Sequence, residues 1–166
     1  MRIGLVGCAS AKLSRPAPAR DLYVSPLFRK ASAYAEATCD RWFILSAKHG
    51  LLAPDEVVEP YDVKLGRAHR DPERDAPPIW EWAARVQGQL GIALADAPEP
   101  HLVLLAGAQY GTVVMRGCPW PHSEPLEGLG IGERLSWLNR ELAALHRADK
   151  GLGPHGSAPA PQRDQS

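Results

Sequence analysis

The sequence predicts one α/β domain, a three-layer αβα arrangement around a small, mainly parallel central sheet of about four strands. Three observations indicate this fold class. Short apolar runs suited to buried strands alternate along the chain with stretches of helical periodicity. A helix is predicted between successive strands, as right-handed βαβ crossovers require. A chain of 166 residues is also long enough to bury the core of one domain without cross-links.

The first strand is predicted over Arg2–Gly7, an apolar run that leads into a polar loop. This loop, residues 9–21, contains two prolines and is expected to be irregular. Ser25 followed by Pro26 is typical of a helix start, with serine as the N-cap and proline at the first helical position. Apolar residues at helical spacing then predict a helix that continues to about Thr38.

The middle of the chain repeats this strand–helix order. Arg41–Ser46 is apolar and rich in β-forming residues, which predicts a second strand. Residues 51–78 contain many prolines and charges with little periodicity, so we expect a long loop, which in compact domains is usually functional or mobile. Residues 79–94 have one apolar face and predict an amphipathic helix, and residues 101–106 predict a third strand.

The last part of the chain is predicted to be helical and then disordered. A short helix over residues 108–115 precedes a loop over residues 116–129 and a final helix over residues 132–146. Beyond it the sequence is rich in glycine, proline, serine and glutamine. We therefore expect the domain to span residues 1–149 and residues 150–166 to form a disordered tail.

Charge and cysteine content narrow the class of protein. Lysine plus arginine and aspartate plus glutamate each total 19, so the net charge gives no general attraction to nucleic acid or membrane, although a local basic patch remains compatible with it. Three dispersed cysteines favour a reducing compartment over a disulfide framework. No apolar segment has the length of a signal peptide or a membrane span, so we expect a cytoplasmic protein with no membrane partner. No ligand spacing indicates a metal, and no cofactor is predicted.

Unusual polar groups follow all three predicted strands. The carboxyl ends of parallel strands lie at one edge of a sheet, where open α/β sheets bind their ligands. We therefore expect one shared pocket in which the strand-end residues converge. Its predicted members are Cys8, Ser10 and Lys12 after the first strand, Ser46, Lys48, His49 and Gly50 after the second, and Tyr110 after the third.

Two strand-end lysines indicate an anion site. Lys12 and Lys48 each follow a strand and a serine, so their ammonium groups and the hydroxyls of Ser10 and Ser46 are suited to a phosphate. The alternative is that each lysine is an ordinary solvated loop residue.

His49 and Cys8 are the candidates for proton transfer and nucleophilic chemistry. The charge of neighbouring Lys48 is expected to lower the pKa of His49, which then donates or accepts a proton or hydrogen-bonds a phosphate. Cys8 is either a nucleophile activated by His49 or, as is commoner at such a position, a small buried side chain.

Two aspartate–tyrosine pairs lie in predicted loops, Asp21 with Tyr23 and Tyr61 with Asp62. Tyrosines of this kind stack on bases, and a carboxylate reads a Watson–Crick edge or stabilises a positively charged sugar transition state. The structural alternative is that Asp21 caps the region of the first long helix while Tyr61 packs the long loop onto the core.

Several short motifs together resemble a bacterial domain of unknown function, family 6884, over roughly residues 1–147. The motifs are Gly7-Cys8 with Lys12, Ala19-Arg20-Asp21-Leu22-Tyr23, Ser25-Pro26-Leu27-Phe28, Ile44-Leu45-Ser46-Ala47-Lys48-His49-Gly50-Leu51, Glu59-Pro60-Tyr61-Asp62 and Pro125-Leu126-Glu127-Gly128. That family is described as similar to the YaaA peroxide-stress proteins, which are associated with DNA binding and with limiting iron-driven oxidative damage. The motifs are similar, more loosely, to a domain of archaeal tRNA transglycosylases and to the uracil-DNA glycosylase fold. The Gly-Gln-Asp-Pro-Tyr motif of true uracil-DNA glycosylases is missing here, so their activity is not carried over.

The leading hypothesis is binding of a nucleotide, a nucleobase or a nucleic acid (DNA or RNA) in the strand-end pocket, and the resemblance implies a context of stress response or DNA metabolism. The predicted ligand-binding residues of this pocket also include Ser25, Tyr110 and Glu127. An alternative is an enzyme that acts on an N-glycosidic bond, with Asp21 or Asp62 stabilising the sugar cation and His49 protonating the leaving base. A second alternative is a protein-interaction module, and the sequence leaves open whether the chain is an enzyme.

Overall fold

The computed structural model describes residues 1–65 and 78–151. Five helices lie in these two ranges: α1 (Ala19–Leu22), α2 (Pro26–Thr38), α3 (Ile79–Ala93), α4 (Ala108–Met115) and α5 (Ile131–Asp149). Seven strands accompany them: β1 (Arg2–Gly7), β2 (Ala17–Pro18), β3 (Arg41–Ser46), β4 (Gly50–Leu52), β5 (Val57–Val58), β6 (His101–Leu105) and β7 (His122–Ser123).

The central sheet has five strands in the order β4-β3-β1-β6-β7. β1 is the middle strand and pairs in parallel with β3 on one side and β6 on the other, so that Leu5 lies beside Phe43 and Leu104. β7 also pairs in parallel with β6, whereas β4 runs antiparallel to β3 at the other edge. The interior of β1 is apolar throughout, as expected of a strand that is covered on both faces.

Helices cover both faces of this sheet. On one face α2 contacts α5 and β1, and its buried Phe28 and Ala31 belong to the same apolar cluster as Leu138 of α5. On the other face α3 contacts α4, and Trp82 and Leu90 pack with Leu5 of β1. The predicted three-layer αβα fold with a mainly parallel sheet is therefore confirmed.

The predicted long elements are present with small shifts at their ends, and the short elements are the ones that the sequence missed. The region predicted as an irregular loop, residues 9–21, contains β2 and begins α1, and β2 pairs antiparallel with β5. β4 and β7 raise the sheet from about four strands to five. Elements of two or three residues are too short to show a period of hydrophobicity, which explains why they were not predicted.

Two predicted features extend beyond the described residues. The long loop predicted for residues 51–78 contains β4 and β5, but residues 66–77 of it lie outside the described part of the chain. Of the predicted tail, residues 150–166, only Lys150 and Gly151 are described, so the division into a domain and a disordered tail stays a prediction. Within the two described ranges, no helix has the length and apolar character needed to cross a membrane.

Candidate functional site

Two adjoining cavities lie where β1 ends. The larger has a volume of about 700 Å³ and the smaller about 310 Å³. Both fall within the size range of ligand sites, roughly 300–1,000 Å³. Six residues line both cavities: Cys8, Ala9, Ser25, Leu27, Tyr110 and Ile131.

Charged side chains distinguish the larger cavity. Lys12, Lys64 and Asp62 line it, together with the exposed Ser10. The charge of Lys64 helps to lower the pKa of the Lys12 ammonium group, whereas the carboxylate of Asp62 raises it, so two cations and one anion lie near one another at this wall. Lysine pairs of this kind are suited to an anionic group, whose charge relieves their mutual repulsion.

Backbone contacts fix Lys12 at the cavity. The Val24 amide donates to the Ala11 carbonyl at 3.0 Å, and the Leu13 amide donates to the Leu22 carbonyl at 2.9 Å, which holds the loop after β1 against the chain before α2. The Lys12 ammonium is half-buried, and burial is the main cause of its lowered pKa. Its Nζ donates to the Ser10 carbonyl at 3.4 Å.

A chain of hydroxyl groups lies behind Lys12. The Tyr61 hydroxyl is 2.7 Å from the Tyr23 hydroxyl and 2.6 Å from the Ser46 Oγ. Ser46 also accepts a hydrogen bond from the His49 amide at 3.1 Å. We call Tyr23, Tyr61 and Ser46 the hydroxyl cluster; burial raises the pKa of Tyr23 to about 12 and raises that of Tyr61 further above its usual value.

The Tyr61 ring lies between the two predicted phosphate lysines. The Lys12 Nζ is 4.3 Å from the ring centroid and the Lys48 Nζ is 5.9 Å from it. The His49 ring contacts Tyr61 edge to face at a centroid distance of 5.2 Å. Lys12, Lys48 and His49 are thus brought together around one ring, but of these three only Lys12 belongs to the described lining of the larger cavity.

His49 lies behind the cavity wall. Burial is the first cause of its lowered pKa and the charge of Lys48 the second, so the predicted direction and one predicted cause are both present. Its Nε2 is buried without a hydrogen-bond partner among the described residues. His49 does not belong to the described lining of either cavity, which leaves its proposed proton transfer to a ligand without a geometric basis.

Cys8 and Tyr110 form the floor shared by both cavities. The Cys8 Sγ is 3.3 Å from the Tyr110 hydroxyl, and the Tyr110 ring packs edge to face on Trp82 at 5.3 Å. Burial raises the pKa of Tyr110 above its usual value, so the phenol remains neutral beside the sulfur. Of the two alternatives for Cys8, this contact and its partly buried position against the core favour the small packed side chain over a nucleophile activated by His49, since the neutral phenol of Tyr110 is a weak base.

Six of the fourteen predicted site residues line the larger cavity: Cys8, Ser10, Lys12, Ser25, Asp62 and Tyr110. The other eight lie outside its described lining: Asp21, Tyr23, Ser46, Lys48, His49, Gly50, Tyr61 and Glu127. Ser25 is also the N-cap of α2, as predicted, and accepts a hydrogen bond from the Phe28 amide at 3.2 Å. A cavity thus lies at the strand ends where the shared pocket was expected, and eight of the predicted residues lie outside its described lining.

Three of these assignments need correction, because two of the side chains are enclosed in the core and the third residue is a glycine with a left-handed backbone conformation. Tyr23 is fully buried, so it has no face free to stack on a base. Ser46 is also fully buried, and its hydroxyl is already bonded within the hydroxyl cluster. Gly50 begins β4 at a φ of +77°, and a Cβ there would lie 2.2 Å from the Gln89 Oε1, so this glycine serves the backbone rather than a ligand.

Two further predicted residues lie on the surface. Asp21 is exposed in α1, and Glu127 is exposed in the turn where its amide donates to the Glu124 carbonyl at 3.0 Å. Neither belongs to the described lining of a cavity, so Asp21 is not placed to stabilise a sugar cation there.

Sequence reasoning missed two cations of the site. Lys64 lies two residues beyond Asp62 in a run of four consecutive lining residues, 62–65, and nothing in the local sequence pattern distinguished it. Arg134 lines the smaller cavity from the first turns of α5, far along the chain from the other members. No local pattern distinguishes it from the other arginines of that helix. Across residues 1–65 and 78–151, no group of three or more histidine, cysteine or acidic side chains is arranged to hold a metal ion.

Comparison with known proteins identifies the family of this chain. The model of a family of unknown function, DUF6884, matches residues 3–140. The chain belongs to the DUF6884 family. That matched span includes every described residue that lines the two cavities, so the cavities lie in the part of the chain that the DUF6884 model describes.

Two curated relatives are similar to this DUF6884 protein. "Uncharacterized protein YfjM" of Bacillus subtilis (strain 168) is 32% identical over 158 residues, which cover 87% of this chain and 97% of the relative. A "UPF0246 protein" of Cellvibrio japonicus (strain Ueda107) is 39% identical over 67 residues, which cover 40% of this chain and 26% of that protein. The first similarity extends over nearly whole chains, and the second is confined to a part of each.

Proposed function

We propose that this protein binds a nucleotide, or another phosphate-bearing ligand with an aromatic base, in the larger cavity at the end of β1. The observation that carries the proposal is the pairing of Lys12 and Lys64 in the wall of a 700 Å³ cavity. Ammonium groups bind phosphate through charge-assisted hydrogen bonds, which are stronger than neutral ones.

The burial of Lys12 strengthens this interpretation. A half-buried ammonium with a lowered pKa gains free energy when an anion replaces its lost hydration. The face of Tyr61, 4.3 Å from its Nζ, holds the ammonium in place and leaves its remaining protons free to meet a ligand. The cavity therefore offers a positioned cation rather than a freely moving surface lysine.

The test compares ligand affinity in the wild type and in a Lys12→Met/Lys64→Met double variant. Methionine keeps an unbranched apolar stem while removing the charge. Loss of charge-assisted hydrogen bonds worth about 1.5–3 kcal/mol weakens the binding of a nucleoside monophosphate by roughly 10- to 150-fold. Isothermal titration calorimetry measures the affinity, and the rise of the melting temperature with nucleotide concentration provides an independent measurement.

Lys150→Met is the matched control, because Lys150 is exposed at the end of α5 and lies outside both cavity linings. Its affinity should equal that of the wild type. A second set of titrations uses short DNA and RNA oligonucleotides. If their affinity falls more steeply with salt concentration than that of the mononucleotide, the ligand is a polynucleotide. Wild-type protein whose melting temperature responds to none of these ligands would overturn the proposal and favour the interaction module.

One observation supports a second candidate, an enzyme that hydrolyses an N-glycosidic bond. Asp62 is a carboxylate in the same cavity wall as the two lysines, where it could stabilise the positive sugar as the base departs. Water would add to the sugar carbon and the base would leave with a proton. Asp62→Asn would then abolish the release of free base from nucleotides while leaving nucleotide affinity intact, whereas wild-type protein that binds nucleotides and releases no base would exclude this candidate.

A further inference from the structure

The smaller cavity combines apolar walls with one guanidinium group. Its 310 Å³ volume is lined mainly by apolar side chains, among them Phe28 of α2, Leu105 of β6 and Leu126 in the loop before α5. Arg134 supplies the charged group of this lining. Because Cys8, Tyr110 and four other residues line both cavities, a ligand bound in the larger one can extend into the smaller one.

The Arg134 side chain is held by a backbone contact. Its Nε donates to the Leu129 carbonyl at 2.7 Å, and one of its terminal nitrogens lies 3.5 Å from the point where a Cβ on Gly107 would be. Neighbouring Glu133 is engaged elsewhere, since its carboxylate accepts a hydrogen bond from the Gly130 amide at 2.8 Å. Within the described ranges no carboxylate forms an ion pair with Arg134.

A guanidinium fixed through its Nε presents its terminal nitrogens as a planar pair of donors. Such a pair matches two adjacent acceptors, as in a carboxylate, a phosphate or the O6 and N7 atoms of guanine. A phosphate in the smaller cavity would lose most of its hydration against apolar side chains such as Phe28 and Leu126, and one cation, Arg134, would compensate for that loss. The larger cavity offers a phosphate two cations, Lys12 and Lys64. The apolar walls suit a flat heterocyclic base.

We propose that the smaller cavity is a base subsite in which Arg134 selects a purine with an acceptor at position 6, guanine or hypoxanthine, over adenine. Adenine carries an amino group at position 6, so a donor would face the donors of Arg134. This inference rests on the proposed function, because the phosphate bound by Lys12 and Lys64 directs the base toward Arg134.

The experiment compares the affinities of GMP, IMP and AMP by calorimetry. IMP shares O6 and N7 with GMP, so both should bind the wild type more tightly than AMP by roughly 5- to 150-fold, the usual value of a bidentate arginine contact to a base. Arg134→Met should remove this preference while leaving AMP affinity within about twofold. Arg134→Lys should also lose most of it, because a single ammonium cannot replace a planar pair of donors.

Arg140→Met is the matched control, since Arg140 is an exposed arginine of the same helix that lies outside both cavity linings. It should retain the full preference. Equal affinity of the wild type for the three nucleotides would overturn the inference without any variant, as would equal weakening of all three by Arg134→Met, which would make Arg134 a phosphate ligand.

The failures of the two proposals are distinguishable. Suppose that Lys12→Met/Lys64→Met weakens the binding of all three nucleotides equally, while Arg134→Met leaves the ratio of GMP affinity to AMP affinity unchanged. The proposed function would then be supported and the base subsite refuted. If no nucleotide binds the wild type, both fall together.

Discussion

Replacing Tyr61 with phenylalanine removes the hydroxyl at the middle of the hydroxyl cluster. Its partners are the Tyr23 hydroxyl at 2.7 Å and the Ser46 Oγ at 2.6 Å. Ser46 would still accept from the His49 amide, but Tyr23, which is fully buried, would lose the partner that the structure gives its hydroxyl. A buried polar group left without a partner costs about 1–3 kcal/mol, so Tyr61→Phe should lower the free energy of unfolding by that amount.

A double-mutant cycle separates this cost from simple loss of packing. Removing both phenolic hydroxyls, in Tyr23→Phe/Tyr61→Phe, leaves no stranded tyrosine hydroxyl in the cluster. The double variant should therefore be more stable than the sum of the two single effects by about 1 kcal/mol or more. Urea unfolding followed by circular dichroism measures each value, and the melting temperature of Tyr61→Phe should fall by roughly 2–12 °C.

Tyr34→Phe provides the control for this cycle. The Tyr34 ring packs on Trp137 at 5.2 Å and should retain that contact, so its stability should remain within about 0.5 kcal/mol of the wild type. Tyr61→Phe also keeps the ring that faces Lys12, and nucleotide affinity should not change. Strict additivity of the two single substitutions, or a Tyr61→Phe variant as stable as Tyr34→Phe, would refute the reasoning.

Two further predictions use the same unfolding assay. Gly50→Ala should lower the free energy of unfolding by about 1–2 kcal/mol because of the left-handed backbone conformation alone. The decrease should be larger still, because the new Cβ would displace the Gln89 side chain, whose Oε1 accepts a hydrogen bond from the Leu51 amide at 2.9 Å. Gly88→Ala in α3, where a Cβ would meet no other atom, should instead raise the free energy of unfolding by about 0.5–1 kcal/mol. At alkaline pH, burial raises the pKa of Tyr23 to about 12 from 10.0. The unfolded state therefore ionises first, and Tyr23 alone should contribute a loss of about 3 kcal/mol of stability between these two pH values, to which Tyr61 and Tyr110, whose pKa values burial also raises, add their own losses. Tyr23→Phe should flatten this decline, and an equally steep decline in that variant would contradict the assignment.

Sequence patterns over a few neighbouring residues predicted the elements whose conformation those same residues determine. The apolar run of β1 and the Ser25-Pro26 helix start are examples, and both are present where the sequence placed them. Edge strands β4 and β7 escaped prediction because they have three and two residues and depend on their partners in the sheet.

The candidate site was predictable only from the rule that open α/β sheets bind ligands at the carboxyl ends of their parallel strands. That rule pointed to Cys8 and Lys12, both of which line the larger cavity, since a parallel strand that ends in a polar loop exposes its next residues at the sheet edge. It could not separate Lys12 from Lys48, because both follow a strand and a serine in the sequence, and only the folded chain shows that Lys12 lines the larger cavity. It gave no reason to select Arg134, whose place in the lining of the smaller cavity depends on the packing of α5 against α2.

The position of β1 in the middle of the sheet has a consequence for synthesis on the ribosome. β1 emerges first, and its pairing partner β3 follows within the next forty or so residues, but β6 is complete only at Leu105. Until then one side of a strand with an apolar interior has unpaired amide and carbonyl groups, which favours aggregation or requires the protection of a chaperone. Nascent chains that end before Leu105 should therefore be sensitive to proteases, and the two cavities should form late in translation as a single cooperative event.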